Sequence, residues 1–192
     1  LILLLYVSIR ERSLKLKMSR LAMTDDLTGC PNRRNAMYQA KLMLNNQVNK
    51  KDSMIIAILD VDNFKIINDT YGHDIGDKVL QNLTLIMIDA LRETDVMARY
   101  GGEEFIILLP NAGEKEIRMV FLRIQSALKQ HVCEYHGETI ALPITVSIGA
   151  AIVSHVPDEL AEKEQKLLLH NIIKKADNKT YEAKEEGKDQ LK

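Results

Sequence analysis

Nine consecutive residues restrict the fold more than any other stretch of this chain. Residues 53–61, Ser53-Met54-Ile55-Ile56-Ala57-Ile58-Leu59-Asp60-Val61, are apolar without alternation until an acid appears near the end. A strand with both faces apolar needs cover on both sides, so this run reads as the buried central strand of a sheet. The rest of the pattern supplies helices to cover it. Turn-rich residues 24–34 end a first helix, and Asn32 caps a second that reaches about residue 49 with Ala36, Met37, Ala40, Met43 and Leu44 on one face. Residues 64–72 read as a helical turn and loop, and residues 73–92 repeat apolar side chains at helical spacing. Two short strands, 96–100 and 104–109, flank Gly101-Gly102 as a hairpin. A helix over 113–132, strands near 138–142 and 144–153, and a long polar-faced helix over about 164–187 complete the chain. Strands alternating with helices, one hairpin among them, predict an α/β fold with a sheet of mixed direction.

Composition narrows the function. The chain has 192 residues, enough for one domain with a short extra element. Its 26 Lys and Arg against 27 Asp and Glu give a net charge of −1, which argues against a nucleic-acid partner. Two cysteines, Cys30 and Cys133, build neither a disulfide framework nor a four-cysteine zinc site, and point to a reducing compartment. The chain opens on nine largely apolar residues and then turns basic with Arg10, Arg12, Lys15, Lys17 and Arg20. Nine residues cannot span a bilayer, but an apolar end with a cationic flank is the pattern of a membrane helix leaving on the cytoplasmic side. The expectation is a cytoplasmic domain of an inner-membrane protein, tethered through a segment upstream of residue 1; the other reading is a soluble helix packing on a partner. Residues 1–24 then form an N-terminal linker helix that can pair with its copy in a dimer, and residues 25–192 the main domain.

Two acidic constellations carry the chemistry. Asp60 and Asp62 stand at the end of the buried strand, where alternate residues share a face. Paired acids that lose hydration repel each other, and a divalent cation relieves both penalties; alone, such a pair is more often a turn former or a cap for the next helix. Arg99-Tyr100-Gly101-Gly102-Glu103-Glu104-Phe105 forms the second. Its glycines let something large approach the backbone and tolerate positive φ, while adjacent glutamates at a sheet rim cost stability unless a metal carrying phosphates uses them.

Gly101-Gly102-Glu103-Glu104-Phe105 resembles the signature of the GGDEF family of diguanylate cyclases, and the likeness runs along most of the chain. Asp26-Leu27-Thr28-Gly29 with Asn32-Arg33-Arg34 is similar to the family's opening motif. Asp60-Val61-Asp62-Asn63-Phe64-Lys65, Asn68-Asp69, Gly72-His73 and Gly76-Asp77 are similar to its nucleotide motif. Ser147-Ile148-Gly149, then Ala176-Asp177, Tyr181, Ala183-Lys184 and Gly187-Lys188, follow in order. The resemblance implies a ferredoxin-like, palm-like nucleotide-cyclase fold and synthesis of cyclic di-GMP from two GTP, with release of two pyrophosphates. It implies Mg2+, with Mn2+ as a substitute, on Asp60, the Val61 carbonyl, Glu103 and Glu104, and Glu103 as the group that activates the attacking ribose hydroxyl. It assigns Phe64 and Lys65 to phosphates, Asn68 and a buried Asp77 to the guanine edge with His73 nearby, and Lys184 and Lys188 to the terminal phosphates. It also implies inhibition by product at Arg92 and Asp95, and a homodimer, because each domain holds one GTP of the two.

The lysines fall at i and i+4, one helical face, which without the resemblance reads as a solvated surface. Lys188 stands where the family usually has arginine, a point charge in place of a two-pronged fork. Cys30 and Pro31 also depart from the usual opening motif. A catalytically inactive relative that senses GTP or cyclic di-GMP is the chief alternative, and an ATP-using cyclase the second. The intact acids argue against the first, and Asn68 with Asp77 against the second.

Overall fold

The computed structural model describes residues 10, 23–47, 53–130, 133–135, 138–140, 143–154, 156 and 161–192. At its centre β1 (Met54–Val61) is buried along its whole length, as its unbroken apolar run requires. It lies between β3 (Glu104–Leu109) and β6 (Val146–Val153), and β2 (Val96–Arg99) is the outer neighbour of β3. The architecture is α/β as expected, but the expected mixture of strand directions is corrected. All three pairings between these strands are antiparallel, and parallel pairing is confined to isolated bridges, Asn32 with Arg99 and Ile148 with Leu191. Helices α2 (Phe64–Tyr71) and α3 (His73–Ala90) carry the chain back to the start of the sheet, so β2 runs with β1. The hairpin at Gly101-Gly102 then returns β3 between them, which makes every neighbour antiparallel.

Side-chain alternation divides the core. Ile55, Ala57, Leu59 and Val61 of β1 pack with Phe105 and Ile107 against α3 and α4 (Glu114–Gln130). Met54, Ile56 and Ile58 pack with Ile106 and Leu108 against α1 (Arg33–Gln47) and α5 (Glu162–Glu185). The Asn32 side-chain oxygen accepts the Arg34 and Asn35 N–H groups at 3.0 and 3.2 Å, the cap expected of it. Helix α5 lies very close to the sheet at Gly149, where a Cβ would strike the Ala176 carbonyl and the Thr180 backbone. Thr180 Oγ1 there donates to the Ile58 carbonyl at 3.1 Å, joining α5 to β1.

Two local expectations change. Residues 64–71 make two turns of helix rather than a turn and loop, since eight residues are too few for periodicity to declare itself. The strand expected near 138–142 is β5 (Glu138–Ile140), and it pairs with an unforeseen β4 (Cys133–Tyr135) as a separate two-stranded ribbon. The expected membrane exit of residues 1–9 and the connecting helix that follows lie outside the described residues. Among the described residues no helix is long and apolar enough to cross a membrane.

Candidate active site

The register of β1 and β3 places Asp60 directly opposite Glu104, and the Val61 N–H donates to the Glu103 carbonyl at 3.4 Å. Asp60 follows Ile58, and Glu104 precedes Ile106, on the face that packs against α1 and α5. From α5, Lys184 Nζ reaches within 2.7 Å of Asp60 Oδ1. The approach is off-axis, so that buried oxygen has no aligned hydrogen-bond donor. Burial pushes the Asp60 carboxyl up to about 6, with Glu103 and Glu104 adding to the rise and Lys184 opposing it. Glu104 is also raised, first by burial, then by Asp177 and Glu103, against Lys184 and Arg33.

The hairpin that carries the glutamates is held from outside. Arg99 donates to the Gly102 carbonyl from Nε at 3.0 Å and Nη2 at 2.7 Å, while its Nη1 lies 3.0 and 3.2 Å from the two Asp25 carboxylate oxygens. Asp25 also accepts the Thr28 N–H and hydroxyl. Neither Gly101 nor Gly102 has a positive φ, so the expected conformational need is corrected to a spatial one. A Cβ at Gly101 would overlap the Glu104 carboxylate, and Gly102 faces open space.

On the other side of the hairpin, a cleft of about 350 Å³ opens between α2, α3 and the Gly102-Glu103 turn. Phe64, Lys65, Asn68, His73, Asp77 and Glu103 all line it, together with Asp69, Leu80 and Arg99. Asn68 Oδ1 is buried there without a hydrogen-bond partner. Gly76 leaves room for the Asn68 side chain, since a Cβ would overlap it. Asp77 is exposed, which corrects the expectation that it is buried. It lines the open cleft from α3, where a bound molecule would cover it.

Asp62 does not join Asp60. Its carboxylate accepts the hydroxyls of Thr145 and Ser147, each at 2.7 Å, and the Asp189 N–H at 3.0 Å. Lys184 and Lys188 do not share a helical face, because α5 ends at Glu185 and Lys188 sits in a turn with φ 64°. Lys188 Nζ donates instead to Asn63 Oδ1 at 2.6 Å, at the start of α2. Arg92 and Asp95 form a closed turn after α3, with the Arg92 N–H donating to Asp95 Oδ2 at 2.8 Å. That turn adjoins Leu109 at the opposite end of the sheet, about 17 Å along β1 from Asp60. Sequence reasoning missed Arg99 as a brace and Asp177 as a neighbour of Glu104. Asp177 and Lys184 are seven apart in α5, a spacing that returns to the same helical face and signals the pair in retrospect.

Among the described residues no three His, Cys, Asp or Glu close into a metal cage. The carboxylates nevertheless fit a magnesium-type ion, which takes one or two protein acids and leaves its other positions to water and phosphate. The observation that supports the fit is the buried Asp60 carboxylate, which holds the Lys184 ammonium at 2.7 Å while the charges of Glu103 and Glu104 push its carboxyl up, an excess of negative charge that a cation relieves.

The fold is an α/β domain whose sheet end bears paired acids beside a polar cleft. A family model described as "Diguanylate cyclase, GGDEF domain" matches residues 22–190, and the chain belongs to that family. Diguanylate cyclase DgcP of Pseudomonas aeruginosa is 33% identical over 170 residues, which are 88% of this chain and 24% of that protein. Cyclic di-GMP phosphodiesterase PdeR of Escherichia coli is 33% identical over 184 residues, 94% of this chain and 25% of that one. The chain therefore spans about a quarter of the length of these two relatives. Diguanylate cyclase SiaD of Pseudomonas aeruginosa, solved with its activator SiaC, superposes with a TM-score of 0.78 at 31% identity, covering 97% of this chain and 67% of that one.

Proposed function

We propose that this domain, residues 25–192, is a diguanylate cyclase that joins two GTP into cyclic di-GMP and releases two pyrophosphates. The reading is supported by one juxtaposition: Asp60 stands opposite Glu104 on the paired strands, and Glu103, the preceding residue, lines the cleft with Phe64, Lys65, Asn68, His73 and Asp77. In this reading Asp60, the Val61 carbonyl, Glu103 and Glu104 hold Mg2+ or Mn2+, which supplies positive charge to the phosphate oxygens. Glu103 accepts the proton of the ribose 3′-hydroxyl of a GTP held by a second copy. The hydroxyl oxygen attacks the α-phosphorus of the GTP in this cleft, and pyrophosphate leaves with the broken bond's electrons. The second condensation repeats the step with the roles exchanged, so a homodimer is required.

Phe64 and Lys65 steady the phosphates, while Asn68 and Asp77 take the guanine N1 and N2 hydrogens that adenine does not offer. Lys184 neutralises Asp60 in the structure described and turns to the terminal phosphates, with Lys188, when nucleotide binds. Arg92 and Asp95, remote from the cleft, form an inhibitory site for product. Incubation with GTP and Mg2+ and chromatography of the products tests the reading: cyclic di-GMP from the wild type, none from Glu103→Ala, and none from ATP. Activity per molecule rising with protein concentration supports the dimer, and Ala at both Arg92 and Asp95 is expected to relieve product inhibition. A relative named as a phosphodiesterase keeps a second reading in view, a module that binds GTP or cyclic di-GMP without converting it. Nucleotide binding without product would favour it.

A further inference from the structure

The most deeply buried carboxylate near the cleft is one that the reaction leaves unused. Asp62 is 3% exposed, and its hydrogen-bond donors, Thr145 Oγ1, Ser147 Oγ and the Asp189 N–H, are all uncharged. A buried anion of this kind is costly unless its hydrogen bonds hold something in place. Here they join three separate segments: the end of β1, the start of β6 and the turn after α5.

That turn is conformationally demanding. Gly187, Lys188 and Asp189 have φ values of 123°, 64° and 49°, so two successive residues with side chains occupy left-handed backbone. Each such residue costs about 1 kcal/mol or more, and the conformation persists only where its surroundings fix it. Asp62 Oδ2 fixes it from β1 through the Asp189 N–H at 3.0 Å, and Gln125 of α4 fixes it through Asp189 Oδ2 at 2.8 Å. The result of the turn is the placement of Lys188, whose Nζ lies on Asn63 Oδ1. Asn63 is itself left-handed, φ 56°, and leads directly into Phe64 and Lys65 at the cleft.

We propose that Asp62 is a positioning residue: by anchoring the 187–189 turn it sets Lys188 over the phosphate end of the cleft, and so governs affinity for the terminal phosphates without touching the nucleotide. The inference rests on the functional reading above, in which Lys188 meets those phosphates. It also explains why the two acids of the strand end differ in fate: Asp60 keeps an oxygen without an aligned donor, whereas both Asp62 oxygens are taken.

The test compares GTP and GMP binding by calorimetry, with Mg2+ present and GTP supplied as its α,β-methylene analogue, which cannot release pyrophosphate, for the wild type, Asp62→Asn, Lys188→Ala and the double variant. Asparagine keeps the size of Asp62 but reduces charge-assisted bonds to neutral ones. Asp62→Asn is expected to weaken GTP about five- to tenfold and to leave GMP within about twofold, the scale of one charged phosphate contact. The double variant should bind GTP no more weakly than Lys188→Ala alone, because both changes remove the same contact. Equal losses for GTP and GMP, or losses that multiply in the double variant, overturn the proposal. Should Asp62→Asn not fold, Gln125→Ala releases the other hold on Asp189 from outside the cleft, and the same GTP-selective loss, about threefold, is expected; no loss overturns the proposal. A wild type without preference for GTP over GMP instead removes the phosphate role of Lys188, and the proposal falls with that reading.

Discussion

Replacing Asp60 by asparagine is expected to stabilise the metal-free protein while abolishing turnover. Asp60 is 8% exposed, and its carboxyl stands at about 6 against an ordinary 3.8. The folded chain therefore holds this proton more tightly than the unfolded one. That advantage is complete below about pH 4 and shrinks as pH rises; above about pH 6 the fold must keep a charged carboxylate in buried surroundings. A move from 3.8 to about 6 corresponds to about 3 kcal/mol, at about 1.4 kcal/mol per tenfold change in the ionisation constant. Asparagine has the shape of the acid but never ionises, so near pH 7 it recovers most of that sum. Lys184 loses its partner in the variant, but its side chain is 31% exposed and can turn to water. The net gain expected at pH 7 is about 2–3 kcal/mol, or roughly 4–12 °C in Tm for a chain of this size. Urea unfolding in the presence of a chelator, at several pH values from about 4 to 8, measures it. The gap between the two proteins should open between about pH 4 and 6 and stay nearly constant above that, and Mg2+ should stabilise the wild type alone. A variant no more stable than the wild type at pH 7, or a gap independent of pH, refutes the reasoning.

Asp25→Ala removes the contacts with Thr28 and Arg99 and should cost about 2 kcal/mol by urea unfolding, discounted because both partners reach solvent. Burial alone would raise the Asp25 carboxyl, but Thr28 and Arg99 together hold it below the usual carboxylate range. Its deficit should therefore be steady at neutral pH and close only as the medium falls below about pH 4. Gly76→Ala should leave Tm nearly unchanged, since a helical alanine gains about 1 kcal/mol against the crowding of Asn68. GTP binding should nonetheless weaken several-fold in calorimetry because that side chain is pushed into the cleft. Gly149→Ala is expected to destabilise by about 3 kcal/mol or more in thermal unfolding, because its new methyl meets the α5 backbone, which cannot turn aside as a side chain can.

The errors of sequence reasoning have a common origin in local geometry. Alternation along a strand suggested that Asp60 and Asp62 act together, but Asp62 lies past the last paired residue, where hydroxyls of the neighbouring segment capture it. Helical spacing suggested one face for Lys184 and Lys188, but α5 stops between them. Gly101 was legible as a glycine position, yet its reason is the Glu104 carboxylate, a contact set by how the hairpin folds back.

By itself the sequence determined that β1 lies at the centre, which helices flank it and which acids stand at its end, because apolar periodicity and local order are written along the chain. Only the tertiary structure decided which neighbours those acids meet. Strand register, the close approach of α5 at Gly149 and the turn that carries Lys188 bring together residues far apart along the chain, Lys188 and Asn63 among them. Such encounters depend on the packing of whole elements, which no local pattern encodes.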